Sequence, residues 1–400
     1  MKKRSLLIVL MAFMLTGCNL KEEVSGLLNQ GGESKDVQVD ELTEEEVEEI
    51  RLEAGLTDSA VSDFEPSKYS RYYYDTLSDK EKEIYAEMYL VLQNCATDVT
   101  LSTLDKDEID TVFSCVLYDN PDIFYVDGYS CTQITLNGEL TRIEFSPTYT
   151  YTESEVQGKR SDIENKVNEL LQGVSADDSE YDKIKYVYET VVEETQYVVG
   201  AKDNQNICSV FLNGESVCQG YAKSSQYLLN SLGVTATLVT GSIKDSGEGH
   251  AWTLVWIDNE PYYLDATWGD ASYTLGSDGA AAQNVPEISY DYLNITTAEL
   301  EKTHVVANIS AVPECTATEN NYYVKEGSYF TEVDKNQLET LFDDAYEAGN
   351  SYVTIKCADE NVYEDMKAYL IDEQAIFDYL KGDNVSYSYN QAALTYSFWI

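Results

Sequence analysis

Residues 217–222 read Val217-Cys218-Gln219-Gly220-Tyr221-Ala222, and this stretch decides how the middle of the chain folds. Inward-facing positions follow at helical spacing, and Gly233 then supplies the positive φ that often ends a helix. These positions are Ala222, Ser225, Leu228, Leu229 and Leu232. The pattern predicts a helix that Cys218 directly precedes. A thiol there faces unpaired N–H groups and the positive end of the helix dipole, which favour the thiolate and can also bind an oxyanion.

Two further stretches, Gly249-His250-Ala251-Trp252 and Tyr263-Leu264-Asp265-Ala266-Thr267-Trp268, lie in segments with strand character. Residues 234–243, 249–257 and 260–268 read as three strands, and Asp258-Asn259 can form a two-residue turn between the last two. That turn sets Ile257 opposite Glu260, Trp252 opposite Asp265 and His250 opposite Thr267. His250 and Asp265 then become diagonal neighbours on one face of the sheet, close enough for their side chains to meet.

The three side chains together suggest nucleophilic catalysis. His250 would hold Cys218 as a thiolate–imidazolium pair, and the sulfur would attack a carboxamide or peptide carbonyl. Asp265 would fix the tautomer of the imidazole and stabilise its charged form. Transfer of the acyl group to water gives hydrolysis, and transfer to an amine such as a lysine gives a crosslink.

A cysteine, a histidine or an aspartate alone is weak evidence, since a lone cysteine is usually a small buried hydrophobe. The order of Cys218 on a helix, His250 on a strand and Asp265 on the next strand resembles the transglutaminase-like superfamily, in particular its bacterial members. The resemblance covers roughly residues 181–304 and departs from many relatives in having Thr253 where they have asparagine. It implies an α+β fold with a papain-like core, in which the helix that carries the cysteine packs on an antiparallel sheet. It assigns the roles of nucleophile, base and orienting acid to Cys218, His250 and Asp265.

Several nearby residues receive weaker assignments. Trp252 and Trp268 are expected to pack beneath the site, and His304 is interpreted as structural. Gln205 and Gln219 both remain candidates for an oxyanion-stabilising side chain. With only two histidines and no Cys-x-x-Cys pair, no zinc site is expected, and no motif indicates another metal or a cofactor.

The N-terminus has the features of an export signal. A basic start, Lys2-Lys3-Arg4, precedes an apolar run that is too short to span a bilayer. Leu15-Thr16-Gly17-Cys18 resembles the lipobox of bacterial lipoproteins, in which the cysteine is acylated and becomes the new N-terminus. We therefore expect a signal peptide over residues 1–17, a lipid on Cys18, and a protein anchored at the extracellular face of the bacterial membrane.

Charge and composition divide the rest of the chain. The 72 acidic and 26 basic residues give a net charge of −46, which argues against nucleic acid as a partner, because phosphate binding depends on clustered Lys and Arg. Residues 18–65 read as an acidic linker, 66–150 as a small α+β domain with a hairpin at Asn137-Gly138, 151–308 as the transglutaminase-like domain, and 309–400 as a small α/β domain.

These observations favour a surface-anchored enzyme of acyl transfer, resembling a cysteine protease or amidase, that acts on protein or cell-wall peptide amides. Two alternatives remain open. One is a protein-crosslinking transglutaminase, and the other is a non-catalytic binding or scaffold module at the cell surface.

Overall fold

The computed structural model describes residues 42–137, 139–271 and 286–400, together with the backbone of residues 5–8 and 33–36. Cys18, the predicted lipidation site, lies outside the described residues, as does Gly138 of the predicted hairpin turn. The chain alternates helices and strands and forms an α+β fold, as the sequence predicted.

The N-terminal part contains helices packed on a four-stranded sheet of order β2-β4-β5-β3. Its elements are β1 (Ser5–Ile8), β2 (Glu33–Asp36), α1 (Glu44–Glu53), α2 (Asp58–Ser62), α3 (Tyr72–Thr76), α4 (Asp79–Gln93), β3 (Val99–Thr100), α5 (Lys106–Asp119), β4 (Val126–Leu136) and β5 (Glu139–Tyr149). α4 begins with a reciprocal capping box between Ser78 and Glu81. β1 lies in the predicted signal peptide and runs parallel to a strand of the C-terminal sheet.

The central part consists of helices packed against an antiparallel sheet of order β11-β10-β9-β8-β12. Its elements are α6 (Glu153–Leu170), α7 (Glu180–Glu194), β6 (Gln196–Tyr197), β7 (Glu215–Ser216), α8 (Cys218–Ser231), β8 (Ala236–Ile243), β9 (Gly249–Ile257), β10 (Glu260–Leu264), α9 (Ala266–Gly269), β11 (Leu293–Ile295), α10 (Thr297–Leu300) and β12 (His304–Val306). α8 ends as predicted, since Gly233 follows it with a φ of +78°. This arrangement brings the first turn of α8 against β9.

The C-terminal part has its own mixed sheet, of order β1-β15-β16-β14-β13. Its elements are α11 (Tyr322–Lys325), β13 (Tyr329–Phe330), α12 (Lys335–Ala348), β14 (Tyr352–Cys357), α13 (Glu360–Lys367), β15 (Asn384–Asn390) and β16 (Thr395–Trp399). Polar contacts connect it to the central part: the buried Lys356 Nζ lies 2.9 Å from Glu299 Oε1, and Asn390 and Thr395 donate to the Asp291 carboxylate.

The buried apolar side chains show how these parts are held together. One cluster extends from Ala54 to Leu293, so residues 66–150 and 151–308 share a core. A separate cluster extends from Phe330 to Phe398. The segment suggested as a linker contains α1 and α2, and Arg51 of α1 pairs at 2.7 Å with Glu87, whose side chain is fully buried. The domain boundaries themselves stay predictions.

Candidate active site

Cys218 is the first residue of α8, and the N-terminus of this helix differs from those of the other long helices. α4, α6 and α7 begin after Ser78, Thr152 and Ser179, whose hydroxyls accept a backbone hydrogen bond. α8 begins after Val217, which offers no side-chain cap. The first two N–H groups of a helix have no carbonyl partner within it, so those of Cys218 and Gln219 remain for another acceptor. This end of α8 is therefore suited to hold a negative charge next to the thiol.

Gly220 packs tightly against the loop that precedes α8. A Cβ at this position would lie 1.9 Å from Ser216 Oγ and 2.6 Å from Ser209 Oγ, and these two hydroxyls are hydrogen-bonded to each other at 2.6 Å. The glycine thus allows the helix start to approach its supporting loop, which keeps Cys218 in place.

We expect Gly220→Ala to destabilise the protein by about 1–3 kcal/mol, since the added methyl group must displace a hydrogen-bonded pair in a packed region. Gly158→Ala is the matched control, because Gly158 is also in a helix but has open space around its Cβ position. That change should stabilise the protein by about 0.5–1 kcal/mol through helix propensity. Urea unfolding measures both, and equal effects at the two positions would contradict the packing argument.

The hairpin that carries the histidine and the aspartate has the predicted register. Asp258 and Asn259 have φ values of +53° and +69°, and Ile257 pairs with Glu260. The prediction was wrong beyond Leu264, which is the last residue of β10. Asp265 instead caps α9, its Oδ1 accepting the N–H of Thr267 at 3.0 Å and of Trp268 at 3.3 Å. Thr267 is therefore not opposite His250, because the capping aspartate turns the chain into a helix.

The structure brings Cys218, His250 and Asp265 together. His250 Nε2 lies 2.7 Å from Asp265 Oδ2, and the Cys218 thiol is close enough to the same imidazole to raise its pKa. Since Nε2 engages the carboxylate, Nδ1 is the ring atom left to face the thiol. All three side chains are buried, with exposed fractions of 4%, 3% and 2% in the order of the chain.

The charges at this site are strongly coupled. Burial by itself disfavours the charged imidazole, but Asp265 and Cys218 outweigh it and raise the pKa of His250 to about 10. Burial also opposes ionisation of Asp265, yet the charge and hydrogen bond of His250 hold the pKa of that carboxyl well below its ordinary value. The arrangement stabilises an imidazolium between two acidic groups, which is the charge state that a general acid needs.

The structure adds His304, which the sequence interpretation left as structural. Its Nε2 lies 3.2 Å from Asp265 Oδ2, so the carboxylate oxygen is shared by both histidines. His304 begins β12, which pairs with β8 so that His304 is opposite Ile243. The run His304-Val305-Val306 carries the β-branched signal of a short strand, but nothing local shows which strand it pairs with.

Aromatic rings surround the two histidines, as expected for Trp252 and Trp268. The His304 ring centroid lies 5.1 Å from that of Trp252 and 4.7 Å from that of Trp268. Tyr292 lies at 5.5 Å from the same ring. These rings exclude water from the carboxylate, and low local polarity strengthens its hydrogen bonds.

The nitrogen and oxygen atoms at the centre of the site are also of the types that bind transition metals. Nε2 of His250, Oδ2 of Asp265 and Nε2 of His304 lie within 4.8 Å of one another. Both histidine nitrogens are within hydrogen-bonding distance of the carboxylate, and these hydrogen bonds explain why the three atoms lie close together. We assign no metal to it.

The two glutamines proposed for the oxyanion are placed differently. Gln219 is buried beside Cys218, and its Oε1 has no hydrogen-bond partner among the described residues. Gln205 is half-buried in the loop before α8. In the part of the chain that the structure describes, neither amide is hydrogen-bonded to Cys218, and we assign neither of them to the oxyanion.

The other thiols have a different environment from Cys218. Burial raises the pKa of Cys131 to about 11 and that of four others to about 12. These four are Cys115, Cys208, Cys315 and Cys357. Burial also raises the pKa of Cys95. None of these thiols is in a disulfide in the described part of the chain.

A cysteine at a helix start, a histidine on the adjoining antiparallel sheet and an aspartate that orients it define the papain-like class of site. Residues 168–266, which contain all three, match the model of the transglutaminase-like superfamily. This segment is therefore similar to a transglutaminase-like domain, in agreement with the resemblance found in the sequence.

Solved structures with some likeness to the chain include a TGase at 17% identity, aligned over 41% of this chain and 47% of that chain, with a TM-score of 0.26. A proposed cysteine protease from Cytophaga hutchinsonii aligns at 13% identity over 35% of this chain and 62% of its own, with a TM-score of 0.24. A proposed protease from Parabacteroides distasonis aligns at 8% identity over 36% of each chain, with a TM-score of 0.21. The chain thus spans less than two thirds of each of these proteins. No curated protein matches the chain.

Proposed function

We propose that the protein is a cysteine acyl-transfer enzyme that hydrolyses amide bonds in proteins or cell-wall peptides. The observation that carries the proposal is that the buried Cys218 thiol influences the His250 imidazole, whose Nε2 lies 2.7 Å from the Asp265 carboxylate. Seven cysteines are described, and Cys218 is the one placed at an uncapped helix N-terminus beside a histidine.

Each residue has a defined part in the proposed reaction. The Cys218 thiolate attacks the amide carbonyl carbon, and the carbonyl π electrons move to the oxygen. His250 gives its Nδ1 proton to the departing amine as the C–N bond breaks, which leaves a thioester on Cys218. Water then attacks the thioester while His250 takes one of its protons, and the carboxylic acid leaves with Cys218 restored as thiolate. Asp265 stays ionised and stabilises the imidazolium throughout.

The start of α8 supplies the electrostatic part of the mechanism. The tetrahedral intermediates carry a negative oxygen, and the N–H groups of Cys218 and Gln219, which have no carbonyl partner within the helix, belong to the first turn that also carries the sulfur. Backbone N–H groups fixed before the reaction stabilise such an oxygen without reorganisation, and each is worth about 10²–10³ in rate in comparable sites.

The location of the protein is part of the proposal. The described residues contain no helix of the length and apolarity that would let it cross a membrane. We propose attachment through a lipid on Cys18, at the extracellular face of the membrane. Cells fed labelled palmitate should label the wild-type chain and leave Cys18→Ala unlabelled, and labelling of both would count against the anchor.

Alkylation by iodoacetamide at neutral pH tests the proposed nucleophile. Because burial raises the pKa of the other thiols, Cys218 should be modified first and faster than free glutathione. His250→Ala should remove this advantage, and Cys208→Ala should not change it. A wild-type Cys218 that reacts no faster than glutathione would contradict the proposal.

A labelled amine separates the two outcomes of acyl transfer. Incorporation of the amine into casein by the wild-type protein indicates crosslinking, whereas release of casein fragments indicates hydrolysis. A reactive Cys218 with neither product would favour a binding module.

A further inference from the structure

Asp265 is the most heavily hydrogen-bonded side chain of the candidate active site. Its Oδ1 accepts from two backbone N–H groups, and its Oδ2 is shared by His250 at 2.7 Å and His304 at 3.2 Å. A carboxylate has about four lone-pair positions, so these four partners occupy all of them. His304 supplies one of the four and lies beyond the segment that matches the family model.

The partners of His304 identify which nitrogen carries its proton. The neighbouring carboxylate is ionised, so the nitrogen that faces it, Nε2, must carry hydrogen. Burial, together with the positive charge of His250, lowers the pKa of His304 and keeps the ring neutral. Nδ1 is then free of hydrogen, and the Thr303 hydroxyl, 2.8 Å from it, can donate to Nδ1 or to the Leu300 carbonyl oxygen at 3.3 Å. Tyr292 OH lies 3.1 Å from the same hydroxyl and can donate to it in turn.

The sheet fixes the position of His304. β12 pairs with β8, and β8 pairs with β9, so the two histidines reach the carboxylate from strands on either side of β8. Gly241 of β8 is opposite His250, and a Cβ on it would lie 2.1 Å from the Val305 carbonyl oxygen. The side chain of His304 has no exposed surface, so its donor has no alternative partner in water.

We infer that His304 is a positioning residue for the Cys218–His250 pair and acts through Asp265. This inference rests on the proposed function. The neutral His304 donates to Oδ2, which keeps the carboxylate ionised and fixed beside His250, where its charge stabilises the imidazolium. It also prevents the Oδ2 side of the carboxylate from turning away from His250.

Two substitutions separate hydrogen bonding from packing. His304→Gln retains an N–H donor near the position of Nε2, whereas His304→Leu fills similar space without a donor. The readouts are the rate constant for alkylation of Cys218 by iodoacetamide and the ultraviolet absorbance of its thiolate. We expect His304→Leu to slow alkylation about tenfold or more, because one hydrogen bond to a charged group contributes a free energy of that size. The absorbance of the thiolate should fall as well. His304→Gln should stay within about threefold of wild type.

The outcomes distinguish this inference from the proposed function. If wild-type Cys218 reacts no faster than glutathione, both the proposed function and the positioning role of His304 are contradicted. Two outcomes would overturn only the positioning role while wild-type Cys218 is reactive. In one, His304→Leu reacts as fast as wild type; in the other, His304→Gln and His304→Leu are slowed equally. Should His304→Leu fail to fold, Thr303→Val takes its place, since it keeps the histidine and removes the donor at Nδ1. A rate for Thr303→Val at least about threefold below wild type supports the inference, and a rate equal to wild type contradicts it.

Discussion

Cys218→Ala should abolish cleavage of fluorescently labelled casein, with a loss of about 10⁴-fold or more in kcat. The substitution removes the only atom that can form the thioester, and binding and the oxyanion site by themselves retain little of the rate. The fold should remain, because alanine is smaller than cysteine, favours a helix and leaves only a small cavity in the buried first turn of α8. Release of fluorescent peptides measures activity, and circular dichroism measures folding.

Cys208→Ala is the control for this change. Cys208 is also buried and lies in the loop that supports α8, but burial raises the pKa of its thiol to about 12 and no histidine lies beside it. Activity should be retained within about twofold, as expected for a residue that touches no reacting atom. A Cys218→Ala protein with substantial remaining cleavage would show that another group performs the chemistry.

The elements with strong local signals were predictable from sequence. The helix from Cys218 to Ser231 has inward positions at regular spacing and a glycine after its end, and the structure has both. The β9–β10 turn has two residues that tolerate positive φ, and the structure has the predicted pairing of Ile257 with Glu260. The three triad residues could be predicted because each depends on local structure. Cys218 begins one helix, His250 lies on one hairpin, and Asp265 directly follows that hairpin.

The parts that could not be predicted depend on tertiary contacts. The end of β10 was missed because Asp265 can continue a strand or cap a helix, and only the partners of its Oδ1 decide between these states. The contact of His304 with Asp265 was not predicted because it depends on β12 pairing with β8, between segments about 60 residues apart in the chain. Lys356 and Glu299 likewise join the C-terminal part to α10 through an ion pair that neither segment shows by itself.

Asp265→Asn should lower kcat by about 10⁴-fold and destabilise the fold by about 3–5 kcal/mol. The carboxylate accepts on both oxygens, two backbone N–H groups on one and two histidines on the other. An asparagine has only one oxygen. Its NH₂ group must therefore face either the two backbone N–H groups or the two histidines, and donors would then face donors. His250 then loses the charge that raises its pKa, and the imidazolium is no longer stabilised.

The loss of stability in Asp265→Asn should depend on pH in a defined direction. The pKa of folded His250, about 10, lies above its ordinary value of 6.5, so its pairing stabilises the native state fully below about pH 6.5. This contribution is lost as the pH rises from 6.5 through 10. The pKa of Asp265 is lowered, so its contribution is present above its ordinary value of 3.8 and is lost as the pH falls towards its folded pKa. The difference in unfolding free energy between wild type and Asp265→Asn should therefore be greatest near pH 5 and should narrow by pH 9, measured by urea unfolding.

Asp291→Asn tests whether this dependence comes from the histidines. Asp291 is also a buried carboxylate, but its donors are Tyr323, Asn390 and Thr395, which do not titrate below pH 9. Its substitution should destabilise the protein by an amount that is the same at pH 5 and pH 9, and it should leave Cys218 alkylation intact. A pH-independent difference for Asp265→Asn as well would mean that His250 does not hold the extra proton, and the imidazolium on which the proposed mechanism depends would then be absent.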